Sequence, residues 1–153
     1  MAPTFPSTTA PFVLAGLLAL AAAPSVAQSQ PSPKAQTVAS GLQHPWAVAF
    51  LPDGRFLVTE RPGRLRVVSA DGQVQPAVQG LPEVAAGGQG GLLDVITDSA
   101  FASNRTIYFC FSEPGKGTTN STALARARLS QDAKRLEDVK VIFSQQPKFS
   151  STA

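Results

Sequence analysis

The chain has 153 residues, 13 of them basic and 10 acidic, with a formal net charge of +3, one Cys and one His. A single cysteine excludes a disulfide framework, and 43% apolar with 15% charged residues excludes a collagenous or an acidic disordered chain. The cations are spread from Lys34 to Lys148 with neither a reading motif nor an aromatic-laced stripe, so no nucleic-acid partner is expected.

The first 27 residues carry no charged side chain. Within them, residues 12–23 read FVLAGLLALAAA. A hydrocarbon core takes roughly 20 residues to cross, so this run is too short to span and no membrane span is expected. Its length suits the hydrophobic region of an export signal. Ser25-Val26-Ala27 supplies a small-x-small cleavage pattern, with Gln28 after it. Residues 1–27 are therefore read as a signal peptide cleaved after Ala27, although the leader has no Lys or Arg and only its α-amino group is positive. Residues 28–35, QSQPSPKA, read as a flexible mature N-terminus. A periplasmic or secreted location follows.

Beyond residue 35 short apolar runs are bounded by turn residues, and helical periodicity is nearly absent. An early strand is predicted over 36–40, with no local sheet to join. Four strands follow, over 46–50, 56–59, 65–68 and, more weakly, 74–78. Pro52-Asp53-Gly54, Arg61-Pro62-Gly63 and Asp71-Gly72 are the turns between them. The densest cations, Arg55, Arg61, Arg64 and Arg66, are interrupted by Glu60 and read as solvated strand faces.

The pattern then repeats over 92–96, 106–111, 123–129 and 137–143. Residues 123–129 alternate small or apolar side chains with Arg126 and Arg128, giving one dry and one wet face. Val139, Val141 and Phe143 are expected on one face of the last strand. Four short strands per unit, offset by roughly 45 to 55 residues, is the pattern of β-propeller blades. A β-sandwich explains the strands, but not the repeated opening strand after a Gly-rich loop. The fold expected is all-β, with about two four-stranded antiparallel propeller blades over residues 36–153. Propellers close with 4 to 8 blades, so more blades are expected than these residues supply.

Cys110 sits between aromatic residues in a strand and reads as a buried inert thiol. Gly87-Gly88-Gln89-Gly90-Gly91 lets the backbone approach something closely. It lacks the Lys-Ser/Thr of a phosphate loop and enters a strand. Gln89 can donate and accept at once, and at the start of an innermost strand it is expected at the mouth of the central channel. His44 is the single imidazole and precedes the other inner strand. A His can act as a general base near neutral pH, but no sequence-local partner orients this one, so it reads as structural or site-lining. The carboxylates have no metal-ligand spacing with a His, and no Ser has a nucleophile-elbow context. Asn104-Arg105-Thr106 and Asn120-Ser121-Thr122 match the glycosylation pattern by chance.

Several blocks together resemble a known family. They are Gln43-His44-Pro45-Trp46-Ala47-Val48-Ala49-Phe50-Leu51-Pro52-Asp53-Gly54, then Leu57-Val58-Thr59-Glu60-Arg61-Pro62-Gly63-Arg64-Leu65, then Gly88-Gln89-Gly90-Gly91-Leu92-Leu93-Asp94-Val95. Ser112-Glu113-Pro114-Gly115, Ala125-Arg126-Ala127-Arg128-Leu129 and the segment from Val141 to Lys148 extend the match. They look like the soluble PQQ-dependent aldose sugar dehydrogenases, the glucose/sorbosone dehydrogenase family.

The resemblance implies a six-bladed propeller with pyrroloquinoline quinone (PQQ) on its axis. It implies oxidation of the anomeric C–OH of an aldose, with hydride passing to the quinone and an electron acceptor completing the cycle. It also implies Ca²⁺, which aids cofactor activation and structure. Gln89 matches the family's active-site glutamine and is the one cofactor-contacting residue that carries over by motif.

In the family, the segment after Gln-Pro-Lys runs into a His-containing stretch that supplies the catalytic base. Here Lys148 is followed by Phe149-Ser150-Ser151-Thr152-Ala153. The base, further cofactor cations and calcium ligands are thus expected outside these residues, and His44 matches a different block. The chain reads as an N-terminal fragment, inactive by itself. Two alternatives remain at this stage: a non-enzymatic secreted β-propeller binding module, and a short β-rich protein that works as it stands.

Overall fold

Alternating side chains and glycine-bearing turns produce two antiparallel sheets. A computed structural model describes residues 32–150. The chain divides into two units, residues 1–34 and 35–153. The expected signal peptide and residues 28–31 of the expected N-terminal segment lie outside the described residues.

The first sheet holds β1 (Pro45–Phe50), β2 (Phe56–Glu60), β3 (Arg64–Val68) and β4 (Val74–Ala77) in that order. The second holds β5 (Leu92–Thr97), β6 (Thr106–Pro114), β7 (Thr119–Leu129) and β8 (Leu136–Ser144) in order, with β9 (Phe149–Ser150) pairing the start of β7. Both are simple antiparallel meanders, and β5 packs against β1 and β2. Two meanders joined through their opening strands are two adjacent blades of a β-propeller, not the crossed-over sheets of a sandwich.

The core lies between the blades. Leu57 and Leu65 from the first meet Leu92, Ile107, Phe109 and Phe111 from the second. On β7, Ala123, Ala125, Ala127 and Leu129 are buried, while Arg126 and Arg128 are exposed, as the alternation predicts. The alanines leave room for the large β6 side chains across the same face.

Thr59 fastens one blade to the other. It is fully buried, its hydroxyl donates to the Leu93 carbonyl at 2.6 Å, and its oxygen accepts the Ala47 N–H at 3.0 Å. A Thr59→Val substitution keeps the shape and removes both bonds. It is expected to cost about 2 kcal/mol, because two polar backbone groups lose their partner. The midpoint of urea unfolding checks this.

Three expectations are corrected. Residues 36–40 form no strand. No backbone hydrogen bond joins them to either sheet, and a strand exists only by its neighbour's bonds. They cross the outer face of the first blade instead, where Val38 abuts Gly72 and residues 37–39 border an apolar groove with Val48, Phe50 and Phe56. Cys110 is half-buried rather than buried. Burial pushes its thiol pKa up and the nearby Asp94 charge adds to this, which keeps it protonated and unreactive. On β8, Phe143 pairs with Leu124 but Val141 with Ala125, so they lie on opposite faces. An irregularity between the two pairs breaks the expected alternation.

One four-residue helix, α1 (Phe101–Asn104), interrupts the strands. Among the described residues, no helix is long and apolar enough to cross a membrane.

Candidate functional site

The registers bring particular turns to one end of the blades. Pro45 pairs with Glu60 and Glu60 with Arg64, so the start of β1 and the β2–β3 turn lie together. Leu92 pairs with Phe111 and Pro114 with Asn120, so the start of β5 and the β6–β7 turn do likewise. Arg61 joins the two groups through its backbone. Its N–H donates to the His44 carbonyl at 3.0 Å, and its carbonyl accepts the Leu92 N–H at 3.0 Å.

The glycine-rich loop is a tight turn at this end. Gly90 N–H donates to the Gly87 carbonyl at 2.7 Å, and Gly88 takes a φ of +50°, which glycine adopts without strain. Ser112 anchors the exit of the loop. Its hydroxyl accepts the Gly91 N–H at 3.0 Å, its own N–H donates to the Gly91 carbonyl, and its carbonyl accepts the Ala85 N–H. Gln89 stands at the exposed tip. Its side-chain amide is engaged by no hydrogen bond among the described residues, so it is free to meet a ligand.

His44 is exposed and held at a φ of +47°. Its carbonyl is tied to Arg61, but no side chain hydrogen-bonds its ring among the described residues. A general base needs an orienting partner, and His44 has none here. Gln89 and His44 thus occupy the same end of the blades without a direct hydrogen bond between them.

Charge around this end is mostly neutralised internally. Glu60 is 1% exposed. Its carboxylate accepts the Gln43 N–H at 2.5 Å and Arg64 Nε at 2.6 Å, with Arg66 Nε 3.8 Å away. Arg64 also donates to the Gln43 side-chain carbonyl at 2.9 Å. Arg64 and Arg66 are therefore partners of a buried acid, not merely solvated strand residues. A second cluster lies beside the β6–β7 turn. Lys148 pairs with Glu113 and donates to Ser121, and the Ser144 hydroxyl also donates to Glu113. The Lys148 hydrogen bond, then that of Ser144, holds the Glu113 carboxyl below the usual carboxylate range. These bonds tie the segment after β8 to the turn, where β9 meets β7. Sequence reasoning missed this pair because its partners are 35 residues apart.

The end therefore offers the exposed Gln89 amide on an anchored turn, nearby glycine backbone and a half-buried arginine to a planar polar ligand. A quinone cofactor with carboxylate groups fits that donor set. Among the described residues, no group of three His, Cys, Asp or Glu side chains could hold a metal ion. Away from this end, a groove of about 360 Å³ between the blades is bordered by Arg55, Gln75, Asp132 and Lys134, and Asp53 neutralises its Arg55.

Residues 42–153 match the family model described as glucose/sorbosone dehydrogenase. The chain is 45% identical over 127 residues to the uncharacterized protein slr1608 of Synechocystis, covering 77% of the chain and 30% of that protein. It is 43% identical over 111 residues to the aldose sugar dehydrogenase YliI of Escherichia coli, covering 72% of the chain and 30% of that protein. Among solved structures, a glucose dehydrogenase aligns with a TM-score of 0.73 at 50% identity, covering 76% of this chain and 34% of that one. The PQQ-bound form of an aldose sugar dehydrogenase from Streptomyces coelicolor aligns with a TM-score of 0.64 at 27% identity, covering 73% of this chain and 33% of that one. The chain thus spans about a third of the length of the proteins it matches.

Proposed function

Because the chain belongs to the glucose/sorbosone dehydrogenase family, we propose that its two blades serve in the PQQ-dependent oxidation of an aldose at its anomeric carbon. The observation that carries this reading is the match of residues 42–153 to the family model, and Gln89, in the glycine-rich loop inside that range, is the residue we assign to contact the cofactor. PQQ, when bound, supplies a two-electron quinone that accepts hydride from the sugar. The chain's own contribution is positional. The Ser112 bonds and the Gly87–Gly90 turn fix the loop, and Gln89 presents a donor and an acceptor to cofactor or sugar. Residues 1–27 act as an export signal, so the enzyme works in the periplasm or outside the cell. An electron acceptor there would reoxidise the cofactor.

His44 is not the catalytic base in this reading, because it matches a different family block and lacks an orienting partner. The 153-residue polypeptide by itself is accordingly expected to show no turnover. The test uses this polypeptide and a protein that carries it joined to the remaining blades of a family member. Both receive PQQ, Ca²⁺, an aldose and an artificial electron acceptor. Dye reduction is expected only in the longer protein. Gln89→Ala in it should lower kcat/KM by about tenfold or more, since one well-placed polar contact to the reacting complex is lost. No dye reduction with any common aldose would overturn the enzymatic reading and favour a carbohydrate-binding propeller.

A further inference from the structure

One half-buried cation at the candidate site has no acidic partner among the described residues. Arg61 is clamped through its backbone to His44 on one side and Leu92 on the other. Its Cγ lies 2.6 Å from where a Cβ on Gly91 would stand, so only glycine there admits the side chain's course. Yet its guanidinium makes no hydrogen bond or ion pair among the described residues.

The other cations that are not fully exposed all have partners. Arg55 pairs with Asp53, Arg64 and Arg66 with Glu60, and Lys148 with Glu113. Arg105 donates to the carbonyls of Leu129 and Ser130. Lys34, Lys116, Arg126, Lys134 and Lys140 lack an ion pair, but water reaches all of them. Arg61 combines a rigid backbone anchor with a guanidinium that no acid neutralises among the described residues. An anion that binds there gains a charge-assisted partner already held in place. A guanidinium presents a planar fork that matches a carboxylate with two parallel hydrogen bonds. Gln89, two residues before Gly91, adds an uncommitted amide donor at the same end.

We propose that Arg61 binds a carboxylate where β1 and β5 begin, with the Gln89 amide as a second donor. The carboxylate has two possible sources, the cofactor PQQ or a sugar acid. The cofactor source rests on the functional reading above, and the carboxylate site itself does not.

Isothermal titration of the 153-residue chain with PQQ and, separately, with gluconate tests the site. The variants are Arg61→Gln, Arg61→Lys and the exposed control Arg126→Gln. The expected result is binding of a carboxylate that weakens at least tenfold in Arg61→Gln and less in Arg61→Lys, which keeps charge but loses the fork. Arg126→Gln should bind as the parent does, and circular dichroism should show Arg61→Lys folded. Gluconate binding that depends on Arg61, without PQQ binding, would support the carboxylate site and remove the cofactor as its occupant. PQQ binding that Arg61→Gln and Arg61→Lys leave unchanged would overturn the site while sparing the cofactor reading. Failure of the parent chain to bind either carboxylate would also overturn it.

Discussion

Replacing Glu60 by Ala is expected to lower the unfolding free energy by about 3 kcal/mol, because removing one member of a buried ion pair strands the others. Three groups lose their partner: the Gln43 N–H, Arg64 Nε and Arg66 Nε. Arg66 is affected most. Its Nε is buried and makes no hydrogen bond even in the parent, and the Glu60 charge at 3.8 Å is its compensation. Arg64 is 35% exposed along its side chain, so water recovers part of its loss. Glu60→Gln should cost less, since its side-chain carbonyl can still accept the Gln43 N–H.

The same pair carries a pH signature. Burial alone would raise the Glu60 pKa. The Arg64 hydrogen bond, the Gln43 N–H and the charges of both arginines outweigh it and hold the carboxyl below its ordinary value of 4.5. A carboxyl depressed in the folded state stabilises the fold above its unfolded-state pKa and ceases to do so as pH falls through the folded one. Stability should therefore be level near neutrality and fall below about pH 4.5. Glu60→Gln should flatten part of that fall. Denaturation midpoints measured at pH 7 and at successive steps below pH 5 report both effects. Identical acid profiles in parent and variant would show that Glu60 is not held as described.

The strands were legible because their chemistry is local. Asp71-Gly72 closes a hairpin wherever it stands between apolar runs, and the Ala123-to-Leu129 alternation can bury only one face. The Gly87–Gly91 loop was legible for the same reason, since few residues other than glycine take a φ of +50° followed by a close approach. Partner-dependent features were not. Residues 36–40 have strand-like composition but pair with neither sheet. β9 is two residues long and exists only through its register with Thr119 and Asn120. The helix α1 is fixed by Asp98, which accepts from the Ala100 N–H and from Asn104, and by Phe101 entering the core.

The charge pairs divide along the same line. Glu60 and Arg64 face each other across the β2–β3 turn, so a register drawn from Arg61-Pro62-Gly63 could have found them. The burial of Glu60 could not be foreseen, because Gln43 reaches it from before β1. Lys148 and Glu113 meet only once β6, β7 and β8 are assembled. The apolar outer faces belong here too. Trp46, Val48 and Phe50 alternate with the core-facing Ala47 and Ala49, so β1 is apolar on both sides. That is the pattern of a strand covered on both faces, as in a blade flanked by neighbours.

A Gly91→Ala substitution tests the joint between blades and is expected to cost about 3 kcal/mol or to abolish cooperative unfolding. Two effects combine. The residue has a φ of +151°, which a side chain rarely adopts, and the added Cβ would collide with the Arg61 carbonyl. It would also lie 2.6 Å from Arg61 Cγ and 3.0 Å from the carbonyl carbon, so backbone must move rather than a side-chain tip. That carbonyl accepts the Leu92 N–H, and the Arg61 N–H holds the start of β1 through His44. Relief of the clash therefore pulls on the inner strands of both blades at once. Gly87 provides the contrast within the same loop. A Cβ there meets nothing within 4 Å and its φ is ordinary, so Gly87→Ala should change stability by less than about 0.5 kcal/mol. Denaturant unfolding of the two variants should separate them clearly. Equal midpoints would mean that the loop does not approach Arg61 this closely, and would remove the geometric basis for placing Arg61 at the mouth between the blades.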